Sequence, residues 1–234
     1  MKRLVHFFSG LIAGLLIHFA GLAEAGELLF VASGDNQGNG GGIYACEFSE
    51  GALSQPSKVF PLPAGASLAL SSDKKRLYAS SRPIERSETG ELIAFKVLPE
   101  GKLQELNRVP FEVNHYCSLT GSKDRRTLLG ASFDAGVVAS YRLKDDGSIA
   151  KQVSKIALPR FARGKSDLAR AHDVEFNRDE TLACVSDIAN NRVYVFDVDS
   201  ESGALVQRSF VSSDSFAGPR HQASLHCATM DLVG

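Results

Sequence analysis

Glu50-Gly51-Ala52-Leu53 is a four-residue phrase that the chain repeats three more times, as Glu100-Gly101-Lys102-Leu103, Asp146-Gly147-Ser148-Ile149 and Ser202-Gly203-Ala204-Leu205. The glycines are 50, 46 and 56 residues apart. Each copy follows an alternating apolar run and precedes another strand-like stretch. Several short strands per unit, repeated at a period near fifty, predict an all-β chain folded as a β-propeller. Such a fold sets ligand sites around its central channel.

A second repeat keeps the same register. Ser72-Asp73-Lys74-Lys75-Arg76-Leu77-Tyr78, Ser122-Lys123-Asp124-Arg125-Arg126-Thr127-Leu128 and Asn177-Arg178-Asp179-Glu180-Thr181-Leu182 each place a polar turn before an apolar strand. Asp73, Asp124 and Asp179 are 51 and 55 residues apart. An Asp between two apolar runs marks a hairpin, because its carboxylate accepts hydrogen bonds from the amides of the turn.

Between these markers the strands read Glu27–Ser33 and Ile43–Phe48 in a first unit, and Ser67–Leu70, Arg76–Ser80, Glu91–Val97 and Leu103–Val109 in a second. A third has Thr127–Ser132, Gly136–Leu143 and Ala150–Ala157, and a fourth has Thr181–Ser186, Arg192–Val198 and Leu205–Val211. The glycine-rich stretch Gly34–Gly42 is followed by no Lys-Ser/Thr pair and no helix, so it reads as a connection between strands and not as a phosphate loop. A fifth unit opens at Ala217 and stops at Gly234. The expectation is about four blades and the start of a fifth, an arc whose open edges invite association.

The 234 residues suffice for one large all-β domain. Lys and Arg number 26 against 27 Asp and Glu, a balance that gives no electrostatic reason to expect nucleic acid. There is no Trp, which argues against a scaffold built on Trp-Asp repeats. At the N-terminus, Lys2 and Arg3 precede an apolar run from Leu4 to Ala23, then Ala23-Glu24-Ala25. This reads as a signal peptide over residues 1–25, leaving a mature propeller over 26–234 that is periplasmic or secreted and free of the membrane; the alternative is an uncleaved anchor helix. Cys46, Cys117, Cys184 and Cys227 form no C-x-x-C pair. Buried free thiols are expected, with no metal site and no cofactor.

Two polar clusters begin repeats, where propeller strands lie nearest the channel: Arg170-Ala171-His172-Asp173, and Gly218-Pro219-Arg220-His221 with His226 after it. His172 and Arg220 are 48 residues apart, about one blade, so the fold would bring them together. An imidazole beside a guanidinium suits attack on an ester or lactone: His takes a proton from water, and Arg holds an anion or a developing oxyanion. His221 and His115 are candidate substrate contacts, although a lone His at a strand start is more often structural. Arg170, Arg178 and Arg192 read as solvated charges or turn caps.

Ala217-Gly218-Pro219-Arg220-His221 with Leu225-His226 resembles the G-P-R-H-x-x-F-H-P signature of the 6-phosphogluconolactonase and 3-carboxymuconate-cyclase family, whose members are seven-bladed propellers. Arg170-Ala171-His172 is similar to that family's H-A-H segment, with Arg170 in place of the first His. Ser186-Asp187-Ile188-Ala189-Asn190-Asn191-Arg192-Val193 resembles its D-L-G-x-D-R-V turn. Phe133-Asp134-Ala135-Gly136-Val137-Val138 with Asp145-Asp146-Gly147-Ser148-Ile149 resembles an earlier blade. The resemblance implies hydrolysis of 6-phosphogluconolactone or another sugar lactone, with a small-molecule substrate and no metal. It carries the base onto His172 and the anion-holding role onto Arg220. A family glutamate about sixteen residues past that arginine would fall beyond Gly234, and Cys227 stands where the family has Pro, so the chain reads as a C-terminally truncated member. A non-catalytic exported propeller that binds sugars or protein partners is the alternative, and a non-functional remnant with a protease-sensitive product is a third reading. No sequence feature specifies an oligomer.

Overall fold

Strands pair with their sequence neighbours, the fourth strand excepted, in the computed structural model, which describes residues 27–34, 41–49, 51–62, 64–82, 89–159, 169–214 and 217–223. The expected signal peptide over 1–25, most of the glycine-rich connection, and His226 and Cys227 lie outside these residues. The first sheet holds β1 (Glu27–Ser33), β2 (Gly42–Ser49), β3 (Ala52–Leu53) and β4 (Ser57–Pro61), with β2 pairing all the others. The second is a meander of β5 (Gly65–Leu70), β6 (Arg76–Ser81), β7 (Gly90–Val97) and β8 (Leu103–Phe111). The third contains β9 (Ser118–Gly121), β10 (Thr127–Ser132), β11 (Val137–Leu143) and β12 (Ile149–Ala157), and the fourth β13 (Ala171–Phe176), β14 (Leu182–Asp187), β15 (Arg192–Val198) and β16 (Leu205–Ser212). Four antiparallel four-stranded sheets in sequence order are the blades of the expected propeller.

The two sequence repeats are the two sets of turns at one end of the blades. Gly51, Gly101, Gly147 and Gly203 join β2–β3, β7–β8, β11–β12 and β15–β16, and all four have positive φ, between 72° and 89°. That conformation carries no steric cost only for glycine. In the other set, Lys74, Arg125 and Glu180 take positive φ (60°, 62° and 57°) directly after Asp73, Asp124 and Asp179. Asp73 Oδ1 accepts from Ser71 Oγ (2.7 Å) and the Lys75 amide (3.1 Å), and Asp124 Oδ1 accepts from Ser122 Oγ (2.5 Å) and the Arg126 amide (2.9 Å). In the third turn Asn177 Oδ1 accepts the Leu182 amide (3.0 Å), as Ser71 Oγ and Ser122 Oγ accept the amides of Arg76 (2.9 Å) and Thr127 (3.0 Å).

The core lies between blades, in three layers. Ile43, Leu62, Leu77, Ile93 and Phe95 fill the first seam, Tyr78, Leu92, Tyr116, Leu128 and Tyr141 the second, and Leu129, Val138, Val174, Tyr194 and Phe196 the third. Strands covered on both faces, such as β10 and most of β6, are therefore apolar without alternation, whereas the outer β16 is mostly exposed. Tyr116 and Tyr141 share a buried hydroxyl–hydroxyl hydrogen bond of 2.8 Å inside the second seam. Cys46 is a buried free thiol; Cys117 and Cys184 are free but only half-buried.

Polar latches cross the seams at the turn end. Arg125 Nη1 donates to Asp73 Oδ2 (2.5 Å), Ser72 Oγ donates to the Lys123 carbonyl (2.8 Å), and the Lys123 amide donates to Glu180 Oε1 (2.8 Å). Burial alone would raise the Asp73 carboxyl, but hydrogen bonds from Ser71, Arg125 and the Lys75 amide outweigh it and hold the group at about 2, below its ordinary 3.8. A carboxyl depressed in the folded state stabilises fully above its ordinary value and loses that contribution as pH falls towards the folded value. Urea titrations of wild type and Asp73→Asn should therefore differ in midpoint near pH 5 and converge as pH falls from about 4 to about 2. Equal midpoints at the higher pH would remove the latch from the account.

Candidate functional site

The opposite end of the blades carries the connections from β10 to β11, from β14 to β15, and into β13. There β13 opens with an irregularity: Ala171 pairs Asp187 and Asp173 pairs Ser186, so His172 is the extra residue of a β-bulge. A bulge re-aims the side chain it carries. The His172 ring meets the edge of Phe133 (centroids 5.8 Å, 85°) and of His221 (4.9 Å, 90°), and its Nε2 accepts a hydrogen bond from Arg220 Nε at 3.1 Å. His172, Arg220 and His221 thus form one cluster, at the start of a blade's innermost strand.

Residues 217–223, which carry Arg220 and His221, are fixed by three hydrogen bonds to the fourth blade. The Gly218 amide donates to Asn191 Oδ1 (2.9 Å), the Gln222 amide to Asp173 Oδ2 (2.9 Å), and Gln222 Nε2 to the Cys184 carbonyl (2.6 Å). Gly218 has φ of 53°, which lets the chain turn into Pro219 at the surface. The other oxygen of Asp173 accepts from Ser118 Oγ of β9 (2.8 Å). Asp173 therefore ties three segments together and is almost fully buried while doing so.

Beneath the bulge, Asp187 is completely buried. Its Oδ1 accepts the amides of Arg170 (2.9 Å), Ala189 (3.1 Å) and Asn190 (3.3 Å), and its Oδ2 accepts Asn190 Nδ2 (2.5 Å). One carboxylate fixes both the entry into β13 and the turn after β14, where Asn191 takes positive φ (54°).

His115 belongs to a second branch. Its Nδ1 lies 3.5 Å from Asp134 Oδ2, which also accepts from Asn114 Nδ2 (3.2 Å). Asp134 Oδ1 lies 3.7 Å from Arg170 Nη1, and the Arg170 guanidinium sits 4.6 Å over the Phe133 ring. Arg170 is therefore no solvated charge; it links the His115–Asp134 pair, through Phe133, to His172. Arg192 also departs from that expectation, lying 4.1 Å over the Phe210 ring. Asp173 stood in one of the two polar clusters without an assigned role, and Asp134, Asp187 and Gln222 were not anticipated as parts of the site. The only sequence signal for them is position: Asp134 and Asp173 follow Phe133 and His172 directly, and Asp187 stands in the turn whose pattern the resemblance includes.

Burial, together with the charges of Arg220 and His221, pushes His172 below its ordinary value against an opposing pull from Asp173 and the Arg220 backbone. Burial and Arg82 lower His115, with Asp134 opposing. Both shifts favour the neutral imidazole over the imidazolium. Cys117 Sγ lies 3.2 Å from the His172 carbonyl, and burial pushes its thiol up to about 11, so it is no thiolate nucleophile at neutral pH. Among the described residues no three His, Cys, Asp or Glu side chains converge as metal ligands, and no helix is long and apolar enough to cross a membrane.

The family described as Lactonase, 7-bladed beta-propeller matches residues 29–226. A Staphylococcus aureus protein of uncharacterized role is 27% identical over 192 residues, 78% of this chain and 53% of its own length. The periplasmic gluconolactonase of Pseudomonas aeruginosa superposes with a TM-score of 0.72 at 21% identity, over 83% of this chain and 57% of that one. An inferred 6-phosphogluconolactonase of Bacteroides uniformis gives 0.72 at 23% identity, over 83% and 57%. The chain spans about half the length of the relatives it matches. At these identities the structural likeness speaks to the fold.

Proposed function

The chain belongs to the lactonase family of seven-bladed β-propellers, and on that premise we propose that it hydrolyses a sugar lactone at the cluster of His172, Arg220 and His221. The observation that carries the reading is the 3.1 Å contact between Arg220 Nε and His172 Nε2 at the mouth of the inner strands. An always-charged guanidinium and a neutral imidazole stand side by side there, with a second imidazole edge-on. In the reaction, water attacks the lactone carbonyl carbon while an imidazole of the cluster takes up its proton. The carbonyl oxygen becomes an oxyanion beside Arg220; as it re-forms the carbonyl, the ring C–O bond breaks and the leaving ring oxygen takes the proton removed from water. Lactone and water give a hydroxy acid, which releases its proton at neutral pH. Arg170, held on Phe133 beside Asp134, adds a second cation within reach of an anionic substituent such as a phosphate. His115 is a more distant contact on the same side. The export expectation, resting on residues 1–25, makes an extracytoplasmic lactone the fitting class.

The test is proton release by the full chain from glucono-δ-lactone and from its 6-phosphate, each against the spontaneous rate. Saturable acceleration of either supports the reading, and preference for the phosphate assigns Arg170 its anion. Saturable binding of both without acceleration would replace the enzyme with a sugar-binding propeller.

A further inference from the structure

Neither ring nitrogen of His172 is open to an incoming water: Nε2 holds Arg220 Nε, and Nδ1 is buried with no hydrogen-bond partner. A guanidinium keeps its protons at every working pH, so Arg220 Nε can only donate, and His172 Nε2 must accept with its lone pair. The ring proton then belongs on Nδ1, and Nδ1 is sealed from solvent. No nitrogen of His172 is left to take a proton from an attacking water. The His221 ring, 4.9 Å away and perpendicular, is exposed. It is carried on the segment that Asp173, Cys184 and Asn191 fix in place, so it is held without being buried.

We propose that His172 is a positioning residue, the fixed acceptor that orients Arg220, and that His221 is the proton carrier of the site. The division of roles rests on the lactone-hydrolysis reading. His221 takes the proton of the attacking water as the new C–O bond forms, becomes an imidazolium, and returns that proton to the ring oxygen as the lactone C–O bond breaks. Arg220, aimed by His172, keeps its terminal nitrogens for the oxyanion. His172 faces the Arg220 guanidinium and the His221 ring of the docked segment and the Asp173 carboxylate of its own strand.

Two variants separate the roles. Glutamine places an oxygen where the His Nε2 stands, so His172→Gln keeps an acceptor for Arg220, whereas His172→Ala removes it. The proposal expects kcat of His172→Gln to fall no more than about tenfold, with the rise of rate with pH retained, and His172→Ala to fall about a hundredfold. His221→Gln should lose about a hundredfold in kcat and also lose that pH-dependent rise, while KM changes little. The opposite pattern, with the pH limb lost in His172→Gln and kept in His221→Gln, overturns the assignment. A second measurement needs no turnover: the ring-nitrogen NMR signals of ligand-free protein should show His172 as a neutral imidazole protonated on Nδ1 at pH 7. An imidazole protonated on Nε2 also overturns the assignment. If wild type hydrolyses no lactone but this tautomer is found, the function reading fails while the pairing of His172 with Arg220 stands.

Discussion

Replacing Arg220 by alanine is expected to lower kcat/KM for lactone hydrolysis by about a thousandfold, because a donor aimed at a developing oxyanion supplies most of its energy only in the transition state. The cost to the fold should be small. Arg220 is exposed, and its side-chain hydrogen bond goes to His172, which is itself partly exposed. A thermal melt within a few degrees of wild type is the expected companion result. Arg220→Lys keeps the positive charge but loses the Nε–H that engages His172, so it should recover about a tenth of the activity. Retention of activity within tenfold in Arg220→Ala would mean that the reacting carbonyl binds elsewhere.

Asp187→Ala should be the most damaging single change to the fold of the site. The carboxylate is completely buried and accepts three amides and one side-chain amide. Deleting it leaves those donors without a partner in a place that water cannot reach, at about 1–3 kcal/mol each when fully unsatisfied. Local relaxation recovers part of this, and a net loss on the order of 3 kcal/mol follows. For a chain of this size that lowers the melting midpoint by about 10 °C. Activity should fall further than stability explains, because the Arg170 amide is released and the bulge that aims His172 loses its support. Asp187→Asn keeps the Oδ1 acceptor and fails only towards Asn190, so it should lie between the two. A melt unchanged in Asp187→Ala would mean that the turn after β14 holds itself.

The repeated turns were legible because a left-handed backbone admits few solutions. Glycine at 51, 101, 147 and 203 is the cheapest of them, and its spacing fixes the blade period. The same spacing made the adjacency of His172 and Arg220 readable, since 48 residues return the chain to the equivalent place one blade on. The inner strands were harder to read. β9 is Ser-Leu-Thr-Gly and β13 is Ala-His-Asp-Val-Glu-Phe, both too polar to look like core strands. They are strands because neighbouring blades press on them, and they are polar because they face the site. β4, behind the polar run Ser54-Gln55-Pro56, was missed for a similar reason. The bulge at His172 leaves no trace in composition, because register is a property of the pair of strands and not of either one. Asp134 stood in the sequence only as part of a blade segment; the fold brings Asn114, His115 and Arg170 around it.

Among the described residues each apolar layer is shared by two adjacent blades, so these blades behave energetically as coupled units. A lesion in one layer weakens the two blades that meet there and reaches the rest only through them. The second and third blades each share a layer with a described blade on either side. The proposed site rests largely on the third layer, through β13 and β14. Its stiffness can therefore be tuned by substitutions around Tyr194 and Phe196 while the Phe95 layer stays as it is.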